Sequence, residues 1–382
     1  MDKYLIIPKF SNSGGTRQYL LNLLEYLYKT EKNSVIILSK TFFDEEINSM
    51  LLKYNFKHHL IDEYPKIEAF FVKNKLKSLY QFMLNFKKFF SILYYQIKYS
   101  INKTIFSEWN LIWDFIFLFL PTKKYFVVHS YPMRKLIKPL AIFSRFMFPK
   151  KDSKIISVSK YAINRINDYW FDSKTNSFVS VIYNFSKLEQ TNDKIINTQS
   201  YNNNLEITII TVAHLVDYKN PELWLKIAQE LTHKNDNIKF YWIGDGELYN
   251  FYKEYESDNI KFLGNIDNLK PYYDTTDIYF QPSKIESQGL AVLETMNLGI
   301  PSIVSSEGGL KESVIDGYNG FVIDLNDSID NICNRFEMLL SDKEFYNRFK
   351  NNCIKYYADK FSKEKWYKSM NTIINGKNKD KK

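Results

Sequence analysis

Two glutamates, Glu286 and Glu294, stand in the chain with seven residues between them, one of which is Gly289. If Gln288 and Gly289 open a helix, Glu286 lies in the loop before it and Glu294 lies inside it. Both carboxylates would then face one pocket beside a helix N-terminus. A buried carboxylate needs a hydroxyl, amide or cation as its partner, and sugar hydroxyls are good partners. The alternative is a pair of unrelated surface glutamates.

A lysine precedes a predicted helix in the same half of the chain. Lys219 stands just before Pro221, which is typical of the first position of a helix, and His214 lies five residues earlier at a strand end. A lysine in such a loop can neutralise a diphosphate; the alternative is a solvated side chain.

His129 terminates a run of buried strand residues and is followed by Ser130. A polar residue at the carboxyl end of a parallel strand lies where open α/β sheets bind ligands. His129 is therefore a candidate site residue, and a hydrogen-bonded core histidine is the alternative.

Two glycine-containing loops follow predicted strands. Gly14 and Gly15 precede the first helix, and Gly244-Asp245-Gly246 follows a later strand. Glycines let the backbone approach a ligand closely, and a helix N-terminus attracts negative charge. Neither loop is a Gly-x-Gly-x-x-Gly fingerprint, which disfavours a dinucleotide oxidoreductase. The alternative for each loop is an ordinary turn.

The sequence predicts no metal site. It has no Asp-x-Asp triplet, only five histidines, and two cysteines, Cys333 and Cys353, so it predicts neither a cysteine-built zinc site nor a disulfide scaffold. The absence of an 18-residue apolar run and of a basic-then-apolar leader predicts a cytoplasmic protein.

Short apolar runs alternate with helical patterns along the chain, which indicates parallel sheets covered on both faces. The pattern predicts two successive doubly wound units, 1–187 and 205–361, joined by a polar linker at 188–204. It also predicts two neighbouring strands, at 111–120 and 125–128.

The chain carries a formal net charge of +9 and 17% aromatic residues. Residues 73–98 and 133–151 combine lysines with aromatic side chains, which is typical of helices that lie on an anionic membrane surface. Core-facing helices with a solvated lysine face are the alternative. An AT-rich genome would also produce this composition, and no recognised RNA or DNA module appears, so no nucleic-acid partner is predicted.

The stretch from Pro282 to Leu290, with Glu294 and Gly299-Ile300-Pro301 after it, resembles glycosyltransferase family 4. Other stations of the family follow in order: Gly14-Gly15, His129-Ser130, Val158-Ser159-Lys160, Asn184, Lys219-Asn220, Gly244-Asp245-Gly246, Pro271-Tyr272-Tyr273, Gly308-Gly309, Glu312, Asp316-Gly317, Gly320 and Phe361 to Trp366. The resemblance covers nearly the whole chain and is looser between residues 40 and 125.

The resemblance implies an α/β GT-B fold, with two Rossmann-like domains facing a central cleft and a crossover helix near 362–376. It implies retaining, metal-independent transfer of a sugar from a nucleotide diphosphate sugar, with no cofactor. His129 and Glu286 would act at the donor sugar, Lys219 at the diphosphate and Glu294 at the ribose. The remaining expected donor contacts are Gly15, His214, Gly244, Gly246, Gln288, Gly289 and Leu290, and Gly14 and Gly15 form the expected acceptor and phosphate loop.

Two positions depart from the family pattern, the smaller departure being Phe185 where a glycine often follows the asparagine. His214 stands where the family usually has an arginine, which grips a diphosphate at any pH, whereas histidine is only partly charged at neutrality. The resemblance predicts a glycosyltransferase that uses a nucleotide sugar, with UDP favoured. The basic aromatic stretches 73–98 and 133–151 point to a lipid-linked or growing surface glycan at the inner membrane face as its acceptor. The alternative is a non-catalytic sugar-nucleotide or glycan-binding relative.

Overall fold

The computed structural model describes residues 2–8, 15–39, 44–61, 75–109, 111–132, 135–186, 188 and 206–375, without the side chains of residues 75–85, 112 and 113. The chain divides into two compact units. Unit 1 comprises Met1–Ile182 with Thr372–Lys382, and unit 2 comprises Tyr183–Asn371.

Unit 1 alternates strands with helices. Its elements are β1 (Lys3–Ile7), α1 (Gly15–Lys29), β2 (Asn33–Ser39), α2 (Glu45–Lys53), β3 (Lys57–Ile61), α3 (Lys75–Lys98), β4 (Lys103–Phe106), α4 (Leu111–Asp114), a 3-10 helix (Phe115–Phe119), β5 (Lys123–Val128), α5 (Lys138–Lys150), β6 (Ser153–Ser157), α6 (Lys160–Phe171) and β7 (Val179–Val181).

The seven strands of unit 1 form one parallel sheet in the order β3-β2-β1-β4-β5-β6-β7. The chain winds outward from β1 to β3 and then resumes at β4 on the other side of β1. Ligands of such sheets bind at this reversal, outside the carboxyl ends of the strands. Aromatic side chains fill much of the core, with Trp109, Phe126 and Trp170 fully buried.

Unit 2 repeats the alternation. Its elements are β8 (Ile207–Val212), a 3-10 turn (Asp217–Lys219), α7 (Pro221–Lys234), β9 (Ile238–Ile243), α8 (Tyr249–Lys253), β10 (Ile260–Gly264), α9 (Lys270–Thr275), β11 (Ile278–Gln281), α10 (Leu290–Asn297), β12 (Ser302–Ser305), a 3-10 turn (Leu310–Glu312), β13 (Gly320–Ile323), α11 (Ile329–Ser341), α12 (Lys343–Lys360) and α13 (Lys363–Asn375). The residues of α13 from Thr372 onward cluster with unit 1.

The six strands of unit 2 form a second parallel sheet in the order β10-β9-β8-β11-β12-β13. Alternate strand residues enter separate core clusters: Ile209 packs with Trp224 and Trp242, whereas Ile210 packs with Tyr273 and Leu293. Because successive strand side chains point to opposite faces, both faces of this sheet are covered. The predicted α/β class with two doubly wound parallel sheets is confirmed.

The strand predicted at 111–120 is wrong. That stretch forms α4 and the 3-10 helix, and the strand beside β5 is β4 instead. An apolar run of this length has no periodicity that separates a buried helix from a buried strand. Strands β3 and β4 escaped prediction because lysines, histidines and a threonine interrupt their apolar residues.

The predicted linker, residues 188–204, lies outside the described residues except for Leu188. The structure divides the chain between Ile182 and Tyr183. The domain boundaries at 187 and 205 stay predictions.

Candidate active site

The reversal point of the unit 2 sheet lies between β8 and β11, which are direct neighbours. The loop after β8 carries Lys219, and the loop after β11 carries Glu286. The two side chains form an ion pair there, and both are largely buried. The sequence therefore places one cation and one carboxylate where the fold binds ligands.

Glu286 is held by the protein from more than one side. Gln281, the last residue of β11, donates from Nε2 to Glu286 Oε2 over 3.1 Å, and the Ser287 amide donates to Oε1 over 3.1 Å. The Gln281 amide oxygen accepts a 3.0 Å hydrogen bond from the Tyr279 hydroxyl. Because Gln281 is buried and bonded at both ends, it fixes the orientation of the carboxylate.

Glu294 lies on α10, and its Oε2 accepts a 2.7 Å hydrogen bond from the Tyr273 hydroxyl of α9. Removal from water raises the pKa of Glu294 to about 7, and the Tyr273 bond opposes that rise. Burial chiefly, and then the charges of Glu286 and Glu294, raise the pKa of Tyr279. The charges of the two predicted carboxylates thus raise the pKa of the same hydroxyl, that of Tyr279.

Gln288 and Gly289 form the entry to α10. Gly289 is the N-cap residue of the helix, with a φ of +81°. Gln288 is almost fully buried, and its side-chain oxygen accepts a 3.0 Å hydrogen bond from the Asn184 amide. Its Nε2 is a buried donor without a protein acceptor in the part of the chain that the structure describes. Leu290, the first residue of the helix, packs into the core beneath.

Gly244 and Gly246 lie in the loop after β9, where the backbone packs closely against the backbone of the loop after β8. A Cβ at 244 would lie 2.1 Å from the Ala213 carbonyl oxygen, and one at 246 would lie 2.4 Å from that of Leu215. These glycines therefore let the loop after β9 pack against the backbone on either side of His214. The His214 side chain itself is exposed, with Nδ1 3.4 Å from the Asp245 carbonyl oxygen.

His129 follows β5 in unit 1 and is half-buried. Its Nε2 lies 2.9 Å from the carbonyl oxygen of Ser107, which follows β4, and its ring lies edge-on to Tyr19 with 4.6 Å between centroids. Burial lowers the pKa of His129 to about 4 despite that hydrogen bond. At neutral pH the ring is therefore uncharged, Nε2 carries the proton that it donates to Ser107, and Nδ1 is an acceptor.

Gly15 is the exposed first residue of α1, whereas Gly14 lies outside the described residues. The structure thus brings Lys219 and Glu286 together in an ion pair and bonds Glu294 to Tyr273. Sequence reasoning missed Gln281 and Tyr279 as supports of the site. A polar residue ending a buried strand, the signal that selected His129, also marks Gln281; nothing local marks the contact between Tyr273 and Glu294.

Among the described residues, no group of three or more His, Cys, Asp or Glu side chains is arranged to hold a metal ion. Metal independence stays a prediction.

Residues 193–356 match the family model for "Glycosyl transferases group 1". The matched segment contains every candidate site residue of unit 2, from His214 to Glu294. It covers less than half of the chain.

Curated relatives align with part of the chain, and two of them illustrate the identity and coverage. An uncharacterized glycosyltransferase of Haemophilus influenzae is 30% identical over 145 residues, which cover 36% of this chain and 41% of the relative. The UDP-Gal:alpha-D-GlcNAc-diphosphoundecaprenol alpha-1,3-galactosyltransferase of Escherichia coli is 34% identical over 151 residues, which cover 37% and 38%. The alignments thus span about two fifths of these relatives.

A solved structure extends the likeness to the fold of nearly the whole chain. Anabaena HepE in complex with UDP and glucose superposes with a TM-score of 0.71 at 16% identity, covering 98% of this chain and all of that one. The likeness supports the GT-B fold that the family resemblance implies.

Proposed function

We propose that the protein is a retaining glycosyltransferase of family 4, of the hexosyltransferase type. It transfers a sugar from a nucleotide diphosphate sugar, with UDP favoured, to a lipid-linked or growing cell-surface glycan at the cytoplasmic membrane face. The observation that carries the proposal is the pairing of Lys219 with Glu286 at the reversal point of the unit 2 sheet, next to the helix that bears Glu294.

Each part of a nucleotide sugar has a suitable partner in this set. The Lys219 ammonium meets the negative charge of a diphosphate, and the backbone amides at the start of α10 offer further donors. Glu294 accepts hydrogen bonds from ribose hydroxyls. Glu286, fixed by Gln281 and the Ser287 amide, accepts them from the donor sugar.

Transfer replaces the bond between the anomeric carbon and the diphosphate oxygen by a bond to an acceptor hydroxyl oxygen, and the hydroxyl proton leaves with the nucleoside diphosphate. Negative charge grows on the leaving nucleotide as its bond breaks. Fixed donors aimed at that charge lower the barrier more than water does, because they need no reorganisation. Lys219 serves this purpose without a metal ion. His129 is expected to act at the donor sugar. Because its ring is uncharged at pH 7, it acts there as a hydrogen-bonding group and not as a cation.

The choice of donor and acceptor draws support from the similar proteins. The name of the Escherichia coli relative gives a UDP-sugar donor and a diphosphoundecaprenol-linked acceptor, and the Anabaena HepE structure holds UDP and glucose. A lipid-linked acceptor implies work at a membrane surface. No helix in the described part of the chain is long and apolar enough to cross a bilayer.

The proposal is tested by incubating the protein with radiolabelled UDP-glucose, UDP-galactose and UDP-N-acetylglucosamine and with undecaprenyl-diphosphate-linked saccharides. We expect label to enter the lipid fraction from one donor, with the anomeric configuration kept, and to be lost with Glu286→Gln. Lys284→Ala, which removes an exposed lysine on the same loop, is the matched control. Nucleotide binding without transfer or donor hydrolysis would identify the non-catalytic relative instead.

A further inference from the structure

Helix α5 of unit 1 presents an apolar face to solvent. Its core-facing side is narrow: Ala141, Ser144 and Phe148 are the buried residues of the helix. With 3.6 residues per turn, Ile142, Phe143 and Phe146 lie on the opposite side, where their exposed fractions run from 45% to 57%. A surface helix normally places its polar residues there.

The same helix is basic and contains no acidic residue. Lys138, Arg145 and Lys150 are all exposed. The Lys150 ammonium lies 3.7 Å from the centroid of the Phe146 ring, so a cation sits directly on the apolar face. This combination of aromatic side chains with lysine and arginine is the chemistry of a helix that lies in a membrane interface.

The apolar surface continues beyond α5. The 3-10 helix Phe115–Phe119 adjoins α5 through Phe115, whose ring lies 6.2 Å from that of Phe143. At the end of that 3-10 helix, Phe119 is 43% exposed and the Lys151 ammonium lies 5.1 Å from its ring. We name the following exposed side chains the α5 face: Ile142, Phe143, Arg145, Phe146 and Lys150 of α5, together with Phe119.

The charge of the whole unit points to an anionic partner. Unit 1 holds 32 lysines and arginines against 15 aspartates and glutamates, a net charge of +17, whereas unit 2 holds 20 against 28, a net charge of −8. The chain's net charge of +9 is therefore the difference between a strongly basic unit and an acidic one. A basic surface of this size attracts anionic lipid through the membrane's negative surface potential.

From this face and this charge, we propose that unit 1 docks on an anionic lipid bilayer through the α5 face. Ile142, Phe143 and Phe146 enter the boundary between headgroups and acyl chains, and Arg145 and Lys150 pair with lipid phosphates.

The sequence prediction named residues 73–98 and 133–151 together. Helix α3 also exposes Phe90, Tyr94 and Ile97; docking is assigned to α5, whose exposed apolar side chains continue onto Phe119. This docking is separate from the proposed sugar transfer and can be measured without a nucleotide sugar.

The test is cosedimentation of the full chain with vesicles of phosphatidylcholine alone or of phosphatidylcholine with phosphatidylglycerol. We expect binding to the anionic vesicles, weakened about tenfold or more in Phe143→Gln/Phe146→Gln and in Arg145→Glu/Lys150→Glu. The matched control, Phe251→Gln/Tyr255→Gln, removes two equally exposed rings from unit 2 and should leave binding unchanged. Circular dichroism checks that each variant is folded.

Other outcomes overturn the proposal. Bilayer docking by this face is excluded if the wild-type protein does not bind anionic vesicles. It is also excluded if Phe143→Gln/Phe146→Gln binds them as wild type does. Equal binding to neutral vesicles excludes the anionic requirement. Light scattering that shows a dimer converted to a monomer by Phe143→Gln/Phe146→Gln, without vesicle binding, would assign the face to a second copy of the chain.

Discussion

Glu294 is a carboxylate whose protonation links the site to pH. Burial raises its pKa from the ordinary value of 4.5 to about 7. Between these two values the folded protein holds a proton that the unfolded chain releases, so the free energy of unfolding falls as pH rises through this window. Two and a half pH units correspond to at most roughly 3–4 kcal/mol.

We therefore expect the thermal midpoint of wild type to fall relative to that of Glu294→Gln between pH 5 and pH 8. Scanning calorimetry of both proteins at unit steps of pH measures the difference, in which other titrating groups cancel. A difference that stays constant across this range would show that Glu294 keeps an ordinary pKa.

The Tyr273 hydroxyl positions Glu294 through its 2.7 Å hydrogen bond. Tyr273→Phe removes this donor but keeps the buried ring, so the carboxylate loses a bond of roughly 1.5–3 kcal/mol and its pKa rises further. We expect affinity for UDP to fall about tenfold in isothermal titration at pH 7. Tyr272→Phe removes the same atom from the adjacent ring and should bind as wild type does; equal losses in both variants would refute a positioning role for Tyr273.

Among the site residues, the sequence predicted those that end or follow a strand. It did not predict contacts between residues of different helices or strands. Lys219, Glu286 and His129 stand where a strand-and-helix pattern alone places them at the carboxyl edge of a sheet. The contact of Tyr273 with Glu294 joins two helices, and the depressed pKa of His129 depends on the residues that bury it. Neither leaves a pattern in neighbouring residues.

At the scale of elements, Gly308 fixes the loop that carries Glu286. It adopts a φ of +69°, and a Cβ there would lie 2.1 Å from the Glu286 carbonyl oxygen. Gly317 has nearly the same φ, +71°, but a Cβ there would meet nothing within 4 Å. The two glycines thus separate the cost of backbone conformation from the cost of displacing Glu286.

We expect Gly317→Ala to destabilise the protein by about 1–2 kcal/mol, the cost of a left-handed residue with a side chain. Gly308→Ala should cost more and should also weaken UDP binding, because the Glu286 backbone must move. Urea denaturation and titration calorimetry measure the two effects. Equal destabilisation, with UDP affinity unchanged in both variants, would contradict the role assigned to Gly308.

The alternation of short apolar runs with helices predicted most elements, because strands covered on both faces read as continuous apolar segments. It failed at residues 111–120, where aromatic and aliphatic residues satisfy a helix and a strand equally well. It also failed at β3 and β4, whose polar side chains break the apolar run. The strand structure of β3 and β4 depends on their pairing with β2 and with β1 and β5.

At the scale of the whole molecule, the two-sheet architecture was predictable from the repeated alternation, whereas the division of charge was not. A chain-wide net charge of +9 hides the contrast between +17 in unit 1 and −8 in unit 2. The positive charge of unit 1 agrees with its proposed contact with an anionic membrane. Unit 2 is acidic as a whole, so a local cation, Lys219, has to meet the charge of the nucleotide sugar.

A thermal-shift panel of UDP, GDP, ADP and CMP tests whether unit 2 binds a nucleoside diphosphate through Glu294 and Lys219. A nucleotide at 100 times its dissociation constant stabilises by about 2.7 kcal/mol, which is a shift of several degrees. We predict that UDP shifts wild type and the exposed control Glu254→Ala by this amount and leaves Glu294→Ala unmoved. No shift from any nucleotide, or an equal shift in Glu294→Ala, would contradict the assignment of this site.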